Sequence, residues 1–565
     1  MRVLLLCLLA SAVVAQPAPV LGGGTAEWDA RTPAAMDPVG DATAGADLTT
    51  LWADSDAEYL YIAFEVTSPL LLIDGSGLTL SLDADDDPST GIATSGLGAE
   101  LIWRFGEREG TVASGARIEW AEVGLWAAPQ VTATRFEVAL PRQPAPGVRD
   151  LFDGPTVRLR VSSAGDAVTA GVTLSDAPRE RSAVSLDPTP GHVRVLAYNV
   201  LRSNLLLSGA VEAGFGRVLR AVGPDIAVIT EIYDASGPQT AARLATLLGE
   251  PVSDWYGAKA GPDVVVAART PVAVIQEVDG NGLFRVTSPQ GGPDWIVAGL
   301  HPPCCTNDDG RQEEVDAMIA AIRDRRADGT IPADAPLVVA GDMNFVGDAR
   351  QLATLFEGDI LDEGRFGPDA PPDLDGTPLA VSPAPATGLP TLFTWRNVGS
   401  SFTPGRLDYL AYSDAALTAG REFVLYTPGL TGAELDALGL ERNDAAGRDP
   451  SGTITSDHLP VVVDLAERTS TSMSDAPAGD GVEIVRVVPH PIRSTASLEV
   501  RTSSAGNANI SLYDVLGRQA RTWTLEVAAG VSAVPLDASG LAAGVYVARV
   551  QTPAGVVSRR LTIAR

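Results

Sequence analysis

Only three cysteines occur in the 565 residues. Cys7 lies in the apolar heart of an N-terminal leader, so only the adjacent pair Cys304 and Cys305 remains after processing. Two neighbouring cysteines cannot knit a disulfide framework, and the domains must be held by ordinary apolar cores. A single lysine, Lys259, leaves almost all positive charge on arginine, and the formal net charge is −30. The basic stripe of a nucleic-acid binder is missing, which argues against a polyanionic substrate without excluding one. An acidic surface that keeps a protein soluble in a salty habitat gives the same count. Beyond the leader no run is apolar for about eighteen residues, so no membrane-spanning helix is expected.

The leader itself, residues 1–15, has the anatomy of an export signal. Arg2 opens it, Val3 to Leu9 form a short apolar core, and Val13-Val14-Ala15 precede a cut before Gln16. The chain is too long for one core and predicts several domains. Its 57 glycines and 41 prolines favour strands and loops. Residues 24–185 predict a β-sandwich, from short runs such as Tyr59 to Val66 (YLYIAFEV) and Leu78 to Leu82 (LTLSL) broken by Asp, Gly and Pro. Asp83, Asp85 and Asp87 alternate in the loop that follows, as oxygen ligands for Ca2+ do; a solvated acidic turn has the same composition. The stretch from Asp37 to Val66 with LDADDDPSTG resembles the family-9-like carbohydrate-binding modules. That resemblance implies a jelly-roll sandwich with a polysaccharide ligand, and assigns no sugar-binding residue.

A turn-rich linker at 179–192 leads into a different pattern. Across 190–466, apolar strand runs alternate with amphipathic helices, the signature of a layered α/β domain. Val211, Phe215, Val218, Leu219 and Val222 share one helical face, as do Val315, Met318, Ile319 and Ile322, with Asn307 to Asp309 placed to cap the second helix. Residues 467–480 form a polar linker, and 481–565 predict a small β domain.

In the α/β segment, polar residues stand where strand runs end: Asn199, Glu231, His301, then Asp342 and Asn344. Strand ends of such a domain form one rim, so these side chains converge from distant positions. Asp408 and the pair Asp457-His458 add two further clusters. Taken singly, an Asp or Asn after a strand is an ordinary turn former, and a lone histidine is more often structural. Together they supply oxygen ligands for a hard divalent cation and imidazoles for proton transfer around a phosphoryl group.

YNV at Tyr198 to Val200, TE at Thr230-Glu231, GLH at Gly299 to His301, GDMN at Gly341 to Asn344, RLDYL at Arg406 to Leu410 and SDHLP at Ser456 to Pro460 resemble, in order, the endonuclease/exonuclease/phosphatase family. The resemblance implies a four-layer α/β/β/α sandwich, a site for Mg2+ or Mn2+, and in-line attack of water on phosphorus. Carried over residue by residue, it gives Glu231 and Asp457 as metal ligands, with Asn199 holding the metal region or orienting the phosphate. His301 binds phosphate oxygens or protonates the leaving group, Asp342 aligns or activates water, and Asn344 donates to the phosphoryl oxygens. His458 is the catalytic imidazole, oriented by Asp408. Thr230 and Gly299 depart from the family's usual Gln and Asn, and no acidic partner for His301 can be assigned.

Cys304 and Cys305 directly follow His301-Pro302-Pro303; a vicinal disulfide, free thiols and soft-metal ligands are the alternatives. At the C-terminus, Pro489-His490-Pro491, SLYDVLGRQ, LDASGLAAGVYVARV and SRRLTIAR resemble the type A sorting domain of the type IX secretion system. That implies passage through the periplasm and outer membrane by the secretion machinery, and a secreted or cell-surface product. The expected architecture is thus a central four-layer sandwich flanked by two all-β sandwiches, and the expected activity is a secreted, metal-dependent phosphodiesterase or nuclease acting on a phosphoester. A phospholipase-like or sugar-phosphate phosphatase is the alternative within the family. A surface carbohydrate-binding protein with an inactive hydrolase domain is the alternative outside it.

Overall fold

The computed structural model describes residues 18–22, 26–143, 148–179, 181, 184–445, 456–468, 482–488, 492–514, 519–541 and 544–563. The signal segment 1–15, all but the first two residues of the 467–480 linker and the Pro489-His490-Pro491 motif lie outside them. The chain divides into two compact units, Met1–Arg468 and Thr469–Arg565.

The first unit begins with two antiparallel sheets. One has five strands ordered Ala35–Met36, Leu48–Ser55, Tyr59–Leu70, Ala133–Pro141 and Trp126–Ala128; the other has six, with Thr79–Asp83 near its middle. YLYIAFEV forms a central strand because its aromatic and branched side chains alternate between two apolar surfaces. Leu60, Ile62, Phe64 and Val66 enter the core between the sheets, while Tyr61 and Ala63 pack with Trp28 and Trp52 on the opposite face. Phe64 meets Phe105 and Phe136 at ring-centroid distances of 5.8 and 5.5 Å.

The same unit continues into two six-stranded mixed sheets stacked on each other. The first runs Tyr256–Ala260, Val264–Ala268, Ile226–Thr230, Val193–Asn199, Val461–Glu467, Leu417–Val424. The second runs Val272–Val278, Asn281–Val286, Trp295–Leu300, Leu337–Asp342, Asp408–Tyr412, Ala380–Val381. Val195 and Ala197 face the second sheet, and Leu196 and Tyr198 face helices outside. Burial on both faces explains why this strand is apolar at successive positions rather than alternating. The helices Ala210–Val222 and Gly237–Leu248 cover the first sheet; Asp308–Ala327 and Arg350–Glu357 cover the second. The predicted helical faces are the buried ones: Phe215, Val218, Leu219 and Val222 are buried, each burial contributing roughly 1.5–3 kcal/mol. Asn307 caps the helix Asp308–Ala327, its Oδ1 accepting the Gly310 N–H at 3.1 Å.

The second unit pairs a three-stranded sheet (Val482–Val488, Thr495–Thr502, Gly530–Asp537) with a four-stranded one (Gln519–Val527, Gly506–Asp514, Gly544–Thr552, Gly555–Ile563) around one apolar core. The central α/β/β/α domain flanked by two β domains is therefore the observed architecture. Among the described residues, no helix is long and apolar enough to cross a membrane.

Candidate active site

Strand register builds the site. In the first sheet Asn199 pairs with Thr230 in parallel, which puts Glu231 one residue past the same edge. In the second sheet Leu300 pairs with Gly341, so His301 and Asp342 emerge side by side, and Asp342 stands directly across from Asp408. Gly341 is required here: at φ 139°, a Cβ would come within 2.1 Å of the Leu300 carbonyl oxygen.

Asn199 ties the two sheets together. Its Nδ2 donates to Glu231 Oε1 at 3.0 Å and to Asp342 Oδ2 at 2.9 Å, while its oxygen accepts the Leu201 N–H. Glu231 adopts a left-handed φ of 62°, and its Oε2 accepts the Arg202 N–H at 2.7 Å. Such strain at a non-glycine residue persists only where surrounding bonds impose it. Asn344, also left-handed at φ 51°, donates from Nδ2 to the Pro302 carbonyl at 3.0 Å.

Two imidazoles flank Asp342. His458 Nδ1 lies 2.8 Å from Asp408 Oδ2, and its Nε2 is 3.5 Å from Asp342 Oδ2. His301 Nδ1 lies 2.5 Å from Asp263 Oδ2, and its Nε2 is 3.6 Å from Asp342 Oδ2. Burial disfavours the charged form of both rings, but the carboxylates outweigh it. Asp408 and Asp342 hold His458 up at about 10, and Asp263 and Asp342 hold His301 up at about 9. In the buried His458–Asp408 pair the proton belongs on the imidazole, with Asp408 accepting from Nδ1–H and fixing the tautomer.

Asp457 is buried and held from the side: its Oδ2 accepts from Trp395 Nε1 at 3.3 Å and Asn397 Nδ2 at 3.4 Å. Its Oδ1 is buried with no hydrogen-bond partner among the described residues. A buried carboxylate oxygen without a donor is costly unless a cation compensates it, and with Glu231 in the same cleft the donor set is all oxygen. These residues fit a hard divalent ion. Asp342, Asp408 and His458 also bring ligand-capable atoms within 4.8 Å of one another. His458 Nδ1 already faces Asp408, however, so this trio suits proton handling better than coordination.

All the expected residues except Asn199 and Asp408 line one cleft of about 1100 Å³, and those two stand immediately behind it. Cys304 and Cys305 are there as well, as exposed free thiols. Cys305 adopts a left-handed φ of 67°. Burial and the neighbouring thiol push Cys304 up to about 11, so it is protonated at neutral pH.

Three supports were not apparent from the motifs. Asp263 is the acidic partner missing for His301, and the same Oδ2 accepts the Glu231 N–H at 3.1 Å. Its signal was position alone, a carboxylate just before the apolar strand Val264–Ala268. Asn281 Oδ1 accepts the His301 N–H at 2.6 Å and its Nδ2 donates to Glu314 at 2.7 Å. It supplies support that Gly299 cannot, because a side chain at 299 would meet Val264 Cγ1 at 2.8 Å in the inter-sheet core. Thr394 Oγ1 accepts the N–H groups of Leu407 and Asp408, setting the strand that carries Asp408.

Residues 196–458 match the Endonuclease/Exonuclease/phosphatase family, and residues 486–564 match a secretion system C-terminal sorting domain. No curated protein matches the chain. Among solved structures, an endonuclease/exonuclease/phosphatase from Beutenbergia cavernae DSM 12333 is 17% identical, covering 66% of this chain and 99% of its own, with a TM-score of 0.30. The human nocturnin catalytic domain with bound sulfate is 16% identical, covering 50% and 97%, TM-score 0.29. Sphingomyelinase C from Streptomyces griseocarneus is 18% identical, covering 49% and 99%, TM-score 0.29. The sorting domain marks the chain for export across the outer membrane, to the medium or the cell surface. The central segment, residues 196–458, is a phosphoesterase domain of the endonuclease/exonuclease/phosphatase family.

Proposed function

We propose that this domain hydrolyses phosphodiesters with a divalent cation, Mg2+ or Mn2+, held by Glu231 and Asp457. The observation that carries the reading is the orphaned, buried Asp457 Oδ1 in a cleft whose other donors are carboxylates and two charged imidazoles. Asn199 acts as a tether rather than a ligand, since its oxygen is engaged by Leu201 and its amide holds Glu231. The cation, when bound, neutralises charge on the phosphoryl oxygens and acts against the carboxylates on both imidazole pKa values.

The protein's own groups then divide the work. Asp342, an acceptor between the two rings, takes the proton of the attacking water. His458 presents Nε2–H to a phosphoryl oxygen while Asp408 fixes its opposite nitrogen. Asn344 donates to a second phosphoryl oxygen. His301, oriented by Asp263, gives its Nε2 proton to the leaving oxygen. Glu231→Gln tests the ligand assignment: turnover falls, and the Mg2+ concentration for half-maximal activity rises at least about tenfold. Unchanged metal dependence in that variant would remove Glu231 from the cation site.

We further propose a structural Ca2+ in the N-terminal sandwich. Asp83, Asp85 and Glu100 each bring an oxygen within 4.8 Å of the others. Asp83 is fully buried, and its Oδ1 has no hydrogen-bond partner among the described residues. The Asp87 carboxylate accepts from the Ser89 N–H and hydroxyl, and Glu100 is the third member of the cluster. A ligand at a hundredfold excess over Kd stabilises by about 2.7 kcal/mol. Ca2+ therefore raises the melting temperature of the wild type and not of Glu100→Gln; equal melting curves with Ca2+ and with chelator would refute the site.

A further inference from the structure

The cleft is not walled by the phosphoesterase domain alone. Leu71, Ile73, Asp74 and Gln130 of the N-terminal sandwich line the same space as His301 and His458. Two sets of bonds fix this wall. Gln130 Nε2 donates to the Pro404 carbonyl at 3.1 Å, and its own carbonyl accepts the Gly347 N–H at 3.1 Å. Thr132 N–H returns to the Gly347 carbonyl at 2.7 Å, so the sandwich pairs with the loop that leaves Asn344.

Arg108 makes the second set. It donates to the Ile73 carbonyl at 2.9 Å and to Ser401 Oγ at 3.3 Å, and its guanidinium lies 4.2 Å from the Phe402 ring centroid. Trp120 Nε1 donates to the Ser400 carbonyl at 2.8 Å. The loop so anchored begins at Trp395, whose indole bonds Asp457. The result is an apolar ledge in the same cleft, made of Leu71 over the buried Ile73 from one domain and Phe402 from the other. Phe402 is 41% exposed.

The polar part of the lining has the opposite sign from a nucleic-acid groove. It holds nine carboxylates against one arginine, Arg202, and the two imidazoles His301 and His458. A strand of nucleic acid brings a phosphate with every nucleotide, and its affinity comes from Lys and Arg that replace counterions. Here each phosphate beyond the reacting one would face carboxylates such as Asp234 and Asp279, while Asp74 is paired with Arg108 at 3.5 Å. A substrate with one phosphate avoids that repulsion, and an apolar arm gains by covering the ledge.

We infer that the sandwich is the selecting wall of the active site, and that the substrate is a phosphodiester bearing one phosphate and an apolar arm that lies on Leu71, Ile73 and Phe402. This rests on the phosphodiesterase reading above. Full mature chain is assayed with Mg2+ on p-nitrophenyl phosphodiesters whose second arm is methyl, octyl or phenyl, and on a single-stranded oligonucleotide. The longer apolar arms lower KM at least about tenfold against methyl, the size expected for one well-buried apolar group. Phe402→Ala and Leu71→Ala each erase most of that difference by raising KM for octyl and phenyl, with kcat changed far less; circular dichroism establishes that both are folded. Equal KM for all three arms, variants that leave the arm preference intact, or an oligonucleotide with the higher kcat/KM would each overturn the inference while leaving hydrolysis established. Absence of turnover on every diester would instead overturn the phosphodiesterase reading and the inference with it.

Discussion

His458→Ala lowers turnover on a phosphodiester by about 10²–10⁴-fold, the range of a general acid–base group. The imidazole lies between Asp408 and Asp342, at 2.8 and 3.5 Å. Removing it also leaves Asp408 buried without its partner, so some stability is lost and activity must be read per folded molecule. Asp408→Asn costs less, because the ring stays in place with a poorer orienter. The double variant is little worse than His458→Ala alone, since residues acting as one unit share one contribution. A folded His458→Ala with near-normal turnover would mean that the ring is only a packing element.

His301→Ala has an effect of similar size, about 10²–10⁴-fold, that depends on the leaving group. If its Nε2 proton goes to the departing oxygen, the loss is large for an alkoxide. It is small for p-nitrophenolate, which departs without protonation. Asp263→Asn follows the same pattern at roughly 10–100-fold, the usual cost of losing a supporting partner. Asp263 also accepts the Glu231 N–H, so this variant weakens metal binding where His301→Ala does not. Equal losses across leaving groups in His301→Ala would move that proton to a phosphoryl oxygen instead.

Much of this was legible because the chemistry sits at strand ends. Asn199, Glu231, His301 and Asp342 each close an apolar run, and parallel pairing turns that pattern into a cluster. The Asp408–His458 pair could be read from its motifs and is present at hydrogen-bond distance. Asp263 was not legible: it opens a strand instead of closing one, and an acid in a Gly-Pro-Asp turn has an ordinary explanation. Asn281 and Glu314 support His301 from another strand and a helix, a relation that no local spacing encodes. The strand pattern of YLYIAFEV predicted the sandwich but not where it docks. Docking depends on single side chains such as Arg108, Trp120 and Gln130, which reach Ser401, Ser400 and Pro404, each more than 250 residues away.

On the proposed mechanism, catalysis needs a hard divalent cation held by oxygen ligands. The measurement is the rate of bis-p-nitrophenyl phosphate hydrolysis by the purified mature chain, first after exhaustive chelation and then after titration with Mg2+ or Mn2+. The expected rate is at background after chelation, with full, saturable recovery on adding either ion. Turnover that persists at its original rate in the chelated protein would contradict it.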